Sequence, residues 1–219
     1  MKQTLDIPYY LELQRRQFDI LRYVSCHENN FETYSVILES LLIDACSFFD
    51  SLCQTLIREK AETGHQFKQG SAIPDFTAKV TGKADFNFGD YRTLLEGDFA
   101  LSPREINVNV YEDALYNPIH SLPDQVSGYR IAPFNEWATG GSSPWWKAFT
   151  DLKHDRMANF REAKLRHVLY SLGAVFIVLT IRNELDFKQG AVSLELYDLF
   201  FPKYWRFKGR VSVMNFSWL

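Results

Sequence analysis

The chain has 219 residues, of which 46% are hydrophobic and 16% aromatic, and a chain of this kind can bury a substantial core. Its 24 lysines and arginines stand against 27 aspartates and glutamates, which gives a formal net charge of -3. This balance excludes a basic field over the whole molecule, so any nucleic-acid site must be a local patch.

The sequence gives no sign of a metal site or a membrane segment. The three cysteines, Cys26, Cys46 and Cys53, lack metal-ligand spacing and are interpreted as reduced core residues. The N-terminal residues contain no apolar run of signal-peptide length. The most apolar stretch, Val168 to Ile181, is too short to span a bilayer and is followed by Arg182. We therefore expect a soluble, cytoplasmic protein that needs no metal or cofactor.

Two helices are predicted near the start of the chain. Pro8 suits a first helical turn, and apolar residues then recur at helical spacing to about Val24. Asn29, with Glu32 three residues later, resembles a capping box, and the helical pattern that follows continues to Gly64. The second helix is thus expected to be long.

Polar residues interrupt the apolar stripes of both helices. Gln17 interrupts the first stripe, and Asp44 and Asp50 interrupt the second. The two aspartates lie roughly 120° apart around the helix axis. A solvated face accounts for both of them; the alternative is that one points inward and pairs with a basic residue of the corner described below.

The composition of the sequence changes between about residues 65 and 142, where Gly, Pro, Asn and Asp become frequent. Glu105 to Tyr111 alternates apolar and polar residues as a half-buried strand does, and Tyr129 to Phe134 is a second strand candidate. The pattern of Gly89 to Phe99 allows either a short helix or a loop. We interpret this segment as an insertion of strands and loops in a helical body.

A third helix is predicted to begin at Pro144, with Ser143 as its cap, and to stop near His154. Its first turn contains Trp145 and Trp146, and apolar residues continue the same face. At least one tryptophan is expected to be buried and to anchor this helix, because two adjacent tryptophans are costly to expose.

A last long helix completes the helical body. Asn159 with Glu162 repeats the capping-box spacing and is predicted to start this helix. A broad apolar stripe then continues to about Asn183. The segment between the last two helices is therefore a corner.

The predicted fold is mainly α-helical with some α+β character and forms a single domain, residues 1–219. The helical body covers about residues 8–64 and 143–183. The strand and loop insertion covers about 65–142, and a tail at about 191–219 is expected to form one or two strands.

The corner between the last two helices gathers Lys153, His154 and Arg156 at a helix end. Cations beside a helix C-terminus stabilise it by about 0.3–1 kcal/mol each when exposed, so these residues need no further function. Alternatively, free amides at the start of the next helix complete an anion site there. Lys153 and Asn159 then hold a phosphate. His154 transfers protons while Arg156 stabilises the charged transition state, although the corner lacks a nucleophile and a carboxylate pair.

Several motifs in this region resemble those of a known group of proteins. The motifs are Pro133-Phe134, Trp137, PWW at Pro144 to Trp146 and LKHDR at Leu152 to Arg156, followed by an apolar final helix. They look like those of a group of uncharacterised bacterial proteins, which in turn resemble the HEPN superfamily of helical "higher eukaryotes and prokaryotes nucleotide-binding" domains. The resemblance covers the helical body.

The resemblance implies a bundle of four or five helices, a homodimer and, in many members, metal-independent RNA cleavage by an arginine followed by a histidine. In LKHDR the histidine precedes the arginine, so the order of the family motif is absent there. Literal matches occur at Arg161 with His167 and at Arg22 with His27. Both are weaker candidates, because such spacings also occur by chance and because a solvated helix face accounts for them.

Three functions follow from these observations. The leading hypothesis is a HEPN-like protein that binds or cleaves RNA or nucleotide phosphates, in bacterial or prophage defence, as a metal-independent endoribonuclease if it is catalytic. The alternative is a non-catalytic protein-interaction module with a structural basic corner. The third is a small-molecule enzyme with its pocket between the insertion and the bundle. A homodimer is expected, with Leu38 to Leu56 serving both the core and the interface.

Overall fold

The computed structural model describes residues 5–108, 129–184, 196 and 199–202. The helices among these residues are α1 Asp6–Leu21, α2 Val36–Glu62, α3 Phe76–Val80, α4 Phe88–Tyr91, α5 Gly97–Phe99, α6 Pro144–His154, α7 Arg156–Asn159 and α8 Leu165–Arg182. The strands are β1 Ile106–Val108, β2 Tyr129–Ile131 and β3 Phe200–Pro202. The described part of the chain is thus mainly helical with a small sheet, as the sequence predicts.

The core is built around α8, which packs chiefly against α2 and also contacts α1 and α6. Helix α8 is 18 residues long and has a mean hydropathy of 1.4, so it is long and apolar enough to cross a membrane. The expectation from the shorter stretch Val168 to Ile181 is therefore wrong on length. However, 83% of the helix is buried inside the protein. Its apolar character is therefore explained by its central position in a core, as in a soluble protein.

Helix α1 begins at Asp6 and ends at Leu21, two or three residues from the predicted limits. It lies against α2, and the Arg16 guanidinium donates a hydrogen bond of 2.7 Å to the Asp44 carboxylate. Gln17, which interrupts the apolar stripe, is nevertheless fully buried. The buried face of α1 is thus continuous, although one of its side chains is polar.

Helix α2 does not start with the predicted capping box. Its cap is Ser35, whose hydroxyl accepts a hydrogen bond of 3.1 Å from the Leu38 N–H. Asn29 instead lies in a short 3-10 turn, where its N–H donates to His27 Nδ1. The predicted end is confirmed: α2 stops at Glu62, and Gly64 adopts a φ of 84°, which glycine tolerates best.

The insertion contains more helix than the sequence predicts. Helices α3, α4 and α5 are short, and α4 continues through a π-helical turn, Arg92–Glu96, into α5. A buried ion pair of 2.5 Å between Lys79 and Asp90 joins α3 to α4. The short helix that the pattern of Gly89 to Phe99 allows is therefore present. The interpretation as strands and loops is wrong for residues 76–80, because a helix this short leaves no helical period in the sequence.

The sheet follows the insertion and has the strand order β2-β1-β3, with both neighbours antiparallel to β1. Ile106 pairs with Ile131 on one side and with Pro202 on the other. A Cβ atom at Gly173 of α8 would lie 2.9 Å from the Cδ1 atoms of both isoleucines. Glycine at this position therefore lets the sheet pack directly on α8.

Both strand predictions in the insertion are confirmed within the described residues. The strand predicted at Glu105 to Tyr111 is present as β1, and residues 109–111 lie outside the described part. The strand predicted at Tyr129 to Phe134 is present as β2. In the predicted tail, β3 is a strand, while residues 203–219 lie outside the described part.

Candidate functional site

Trp145 anchors the first part of the candidate site. Its side chain is fully buried, and its Nε1–H donates a hydrogen bond of 2.9 Å to the Pro133 carbonyl oxygen. Trp146 is partly buried and stacks on Phe88 with ring centroids 4.5 Å apart. The predicted buried tryptophan is confirmed. Ser143 occupies the cap position of α6, as predicted, but its hydroxyl donates to the same Pro133 carbonyl and caps no helix amide.

Helix α6 ends at His154, as predicted. The segment Asp155 to Lys164, which we call the joint, connects it to α8. Asp155 caps α7, since its Oδ1 accepts a hydrogen bond of 3.0 Å from the Ala158 N–H. The Asn159 amide donates to the backbone carbonyls of Asp151, at 3.0 Å, and of Asp155, at 2.9 Å. Asn159 therefore binds carbonyl groups at the end of α6.

The predicted capping box of Asn159 and Glu162 is wrong. These residues precede α8, which begins at Leu165 with Lys164 at the cap position. A 3-10 turn, Phe160–Glu162, separates them from the helix. The capping-box spacing occurs in a turn here because the Asn159 side chain is bound to α6 instead.

The first amides of α8 are not free to bind an anion. The Leu165 N–H donates a hydrogen bond of 2.9 Å to the Thr33 carbonyl, and the Arg166 N–H donates one of 3.2 Å to the Phe31 carbonyl. A β-bridge between Tyr34 and Lys164 continues this pairing. The segment before α2 thus satisfies the helix start, and the predicted set of unpaired amides is wrong.

Arg156 is paired with a carboxylate that the sequence analysis missed. Its Nε lies 2.6 Å from Oε1 of Glu39, whose side chain is only 7% exposed. Asp44 and Asp50, one of which is the alternative partner for the corner, bind elsewhere: Asp44 binds Arg16 of α1, and Asp50 Oδ1 accepts a hydrogen bond of 2.7 Å from the Tyr91 hydroxyl. Glu39 therefore compensates part of the Arg156 charge, while the Arg156 side chain stays 63% exposed.

A signal for Glu39 was present in the sequence. Glu39 follows Leu38 and precedes Leu42 by three positions, so it belongs to the buried face of α2. A carboxylate on such a face requires a cationic partner. Helical periodicity therefore identifies Glu39 as buried, but only the fold identifies Arg156 as its partner.

Lys153 and His154 remain exposed at the end of α6. The Lys153 ammonium lies 5.8 Å from the centre of the Phe149 ring. His154 is on the same helix face as Lys147 and Asp151, which form an ion pair with each other. Within the described residues no hydrogen bond or ion pair orients His154, and none brings it together with Arg156.

The weaker candidates occupy local structural positions. His167 is buried, its Nδ1 lies 2.8 Å from the Glu162 carbonyl oxygen, and burial lowers the pKa of its imidazole. Arg161 is exposed on the preceding turn. In the other pair, the Arg22 guanidinium lies 3.7 Å from the Asp19 carboxylate. His27 Nδ1 accepts a hydrogen bond from the Asn29 N–H.

Apolar side chains are exposed beside this joint. Val36 and Ile37, at the start of α2, are 68% and 65% exposed, and Met157 of α7 is 88% exposed. Val36 lies one turn before Glu39, and Met157 follows Arg156, so the Arg156–Glu39 ion pair brings the two helices together. We name the corner surface for five residues, Val36, Ile37, Lys153, Met157 and Arg161.

A shallow groove of about 670 Å³ lies elsewhere, within the insertion. All the residues that line it belong to the segment 70–83, and they include Ser71, Asp75 and Lys83. The groove therefore lies within the insertion and not between the insertion and the bundle. In the described part of the chain, no group of three or more metal-ligating side chains is present.

The three cysteines lie in the core, as predicted. Burial raises the pKa of the Cys26 thiol to about 12, and it also raises the pKa values of Cys46 and Cys53. These thiols are therefore neutral and unsuited to nucleophilic chemistry.

The chain matches no protein-family model, no curated protein and no solved structure. The resemblance to the HEPN superfamily stays a prediction from the motif residues.

Proposed function

We propose that the protein is a non-catalytic interaction module that binds a partner protein through the corner surface. The observation that carries this proposal is the exposure of Val36, Ile37 and Met157, at 65% to 88%, on helices that the Arg156–Glu39 ion pair joins. Burying such a side chain at an interface contributes about 1.5–3 kcal/mol. Exposed apolar side chains on these two helices therefore favour a partner that covers them.

The charges around these residues indicate the chemistry of the partner. Lys153 and Arg161 are exposed, and neither has a carboxylate within ion-pair distance among the described residues. An acidic amphipathic helix matches this arrangement, because its apolar face covers Met157 and its carboxylates face the two cations. We therefore assign an acidic amphipathic segment of another protein to the corner surface.

The contacts of the corner argue against catalysis there. A general base is normally oriented by a second group, and His154 has no such partner among the described residues. Arg156 already compensates the buried Glu39 carboxylate, so less of its charge is available to a phosphate. The amides of Leu165 and Arg166 are bound to backbone carbonyls. The same residues therefore serve better as a structural joint than as a ribonuclease site.

RNA or nucleotide binding is the second candidate. It is supported by the exposure of Lys153, His154 and Arg161 on one side of the joint and by the motif resemblance. We keep a HEPN-like bundle as the fold that goes with this candidate, and a role in bacterial or prophage defence depends on the resemblance alone. A homodimer would have to use exposed faces, because Leu38 and Leu52 of α2 are buried in the core of the chain.

The two candidates differ in the ligands they bind. Fluorescence anisotropy compares three probes: an amphipathic helix of leucine and glutamate, one of leucine and lysine, and single-stranded RNA. We expect the acidic helix to bind best. Val36→Asp combined with Met157→Asp should weaken its binding by about tenfold or more.

Leu5→Asp is the matched control, because Leu5 is 78% exposed just before α1, and the start of α1 lies beside the middle of α2, where Tyr9 packs on Phe48. This variant should bind the acidic helix like the wild type. Equal binding of the acidic helix by the double variant would contradict the proposal. RNA binding that Lys153→Ala weakens, without binding of either helix, would establish the second candidate instead.

A further inference from the structure

We propose that His65 and Asp98 form a binding site for a phosphate group where the end of α2 meets α5. His65 follows α2 at the end opposite to Val36, so this site is separate from the corner surface. The inference does not depend on the function proposed above. Its parts are an oriented imidazole, a buried carboxylate and two nearby ammonium groups.

Asp98 holds the imidazole of His65 in one orientation. The Asp98 side chain is 3% exposed, and its Oδ2 lies 2.6 Å from His65 Nε2. Its Oδ1 accepts a hydrogen bond of 3.0 Å from the Lys68 backbone N–H. Both carboxylate oxygens are therefore engaged, and the neutral ring carries its proton on Nε2.

Aromatic rings fix the plane of the same imidazole. The Phe67 ring meets it edge-on, with centroids 4.7 Å apart, and the Phe99 ring lies nearly parallel to it, 6.1 Å away. The His65 side chain is still 36% exposed. Nδ1, the nitrogen opposite to the carboxylate contact, has no partner among the described residues, so it is open to a ligand.

Two lysines contact residues beside Asp98. The Lys60 ammonium lies 5.9 Å from the centre of the Phe99 ring, and the Lys68 ammonium donates a hydrogen bond of 3.2 Å to the Gly97 carbonyl. In the described part of the chain neither ammonium has a carboxylate within ion-pair distance. Both therefore keep charge and hydrogen-bond donors for an anion.

The combination of groups selects the chemistry of the ligand. An open Nδ1 lone pair requires a hydrogen-bond donor, while two ammonium groups require negative charge. A phosphate monoester loses its second proton with a pKa of about 6, so near that pH its monoanion offers both a negative charge and a proton. A carboxylate offers the charge alone. The geometry thus points to a phosphate group.

The same contacts also fasten the loop between α2 and α3, and a purely structural pair would bind no ligand. The test is NMR of protein labelled in its five histidines, titrated with inorganic phosphate and, separately, with sulfate. Sulfate has the shape and charge of phosphate but no proton to donate near neutral pH. We expect a saturable shift of the His65 ring resonances with phosphate and an apparent affinity several times weaker with sulfate.

Variants separate binding from folding. Lys60→Gln and Lys68→Gln each remove one ammonium group and leave the His65–Asp98 contact in place, and each should weaken phosphate binding by about threefold or more. Asp98→Asn should remove the binding, provided that its spectrum remains that of a folded protein.

His27, which is exposed in the turn before α2, is the internal reference. Equal shifts of His65 and His27 would mean nonspecific ion association and would overturn the site. Phosphate affinity that neither lysine variant changes would also overturn it.

Discussion

Gln17 offers the sharpest test of the packing of the helical body. Its side chain is fully buried on α1, and neither Nε2 nor Oε1 has a hydrogen-bond partner among the described residues. Most buried polar groups in folded proteins are paired. The substitution Gln17→Leu removes both polar atoms and keeps nearly the same volume.

The expected gain follows from these two atoms. An unsatisfied buried polar group costs about 1–3 kcal/mol, and leucine restores the apolar stripe of α1. We therefore expect Gln17→Leu to raise the free energy of unfolding by about 1–3 kcal/mol. For a protein of this size each kcal/mol raises the Tm by about 2–4 °C.

Urea and thermal unfolding of the wild type and the variant measure this difference. Gln14→Leu is the matched control, because Gln14 is also buried on α1 but its Oε1 accepts a hydrogen bond of 3.3 Å from the Leu199 N–H. That variant should gain nothing or lose stability. A Gln17→Leu protein less stable than the wild type would refute the reasoning and indicate that the amide is satisfied, for example by water.

Further predictions concern other buried groups. Trp145→Ala should lower the free energy of unfolding by about 3–5 kcal/mol, and Trp146→Ala by less, since only the Trp145 ring is fully buried; equal unfolding midpoints for the two variants would contradict this. Burial raises the pKa of Cys26 to about 12, so a thiol reagent should label the folded protein hardly at all and the unfolded protein fully. The pKa of His167 is lowered below its ordinary value of 6.5, so the unfolded state binds more protons and stability should fall as the pH drops below about 6.5. His167→Gln should flatten this dependence, and identical pH profiles of stability would contradict the assignment.

The sequence predicts those elements that carry their own local signals. Pro144 marks the start of α6, and Gly64 marks the end of α2, because each residue has a conformational preference that acts at its own position. The capping boxes predicted at Asn29 and Asn159 are wrong, because the spacing of two polar residues does not determine which side chain caps a helix. Three-residue spacings of polar residues are common, and the nearby Ser35 hydroxyl caps α2 instead.

The rest of the candidate site depends on pairings that no local pattern contains. Glu39 and Arg156 are far apart in the sequence and meet only after α6 has packed beside α2. Likewise, the amides of Leu165 and Arg166 cannot bind an anion, because they donate hydrogen bonds to backbone carbonyls in residues 31–34. A cluster of charges in one segment therefore predicts where a helix ends but not which charges stay free.

The joint divides the residues of LKHDRMAN into two groups with different uses. Arg156 and Asn159 bind groups of the fold, namely Glu39 and the end of α6, although the Arg156 side chain is still 63% exposed. Lys153, His154 and Met157 are turned to solvent. Substitutions in the first group should therefore affect stability before they affect binding, whereas substitutions in the second group should affect binding alone. A ligand of this corner, whether protein or RNA, is recognised by the residues that the joint leaves outside.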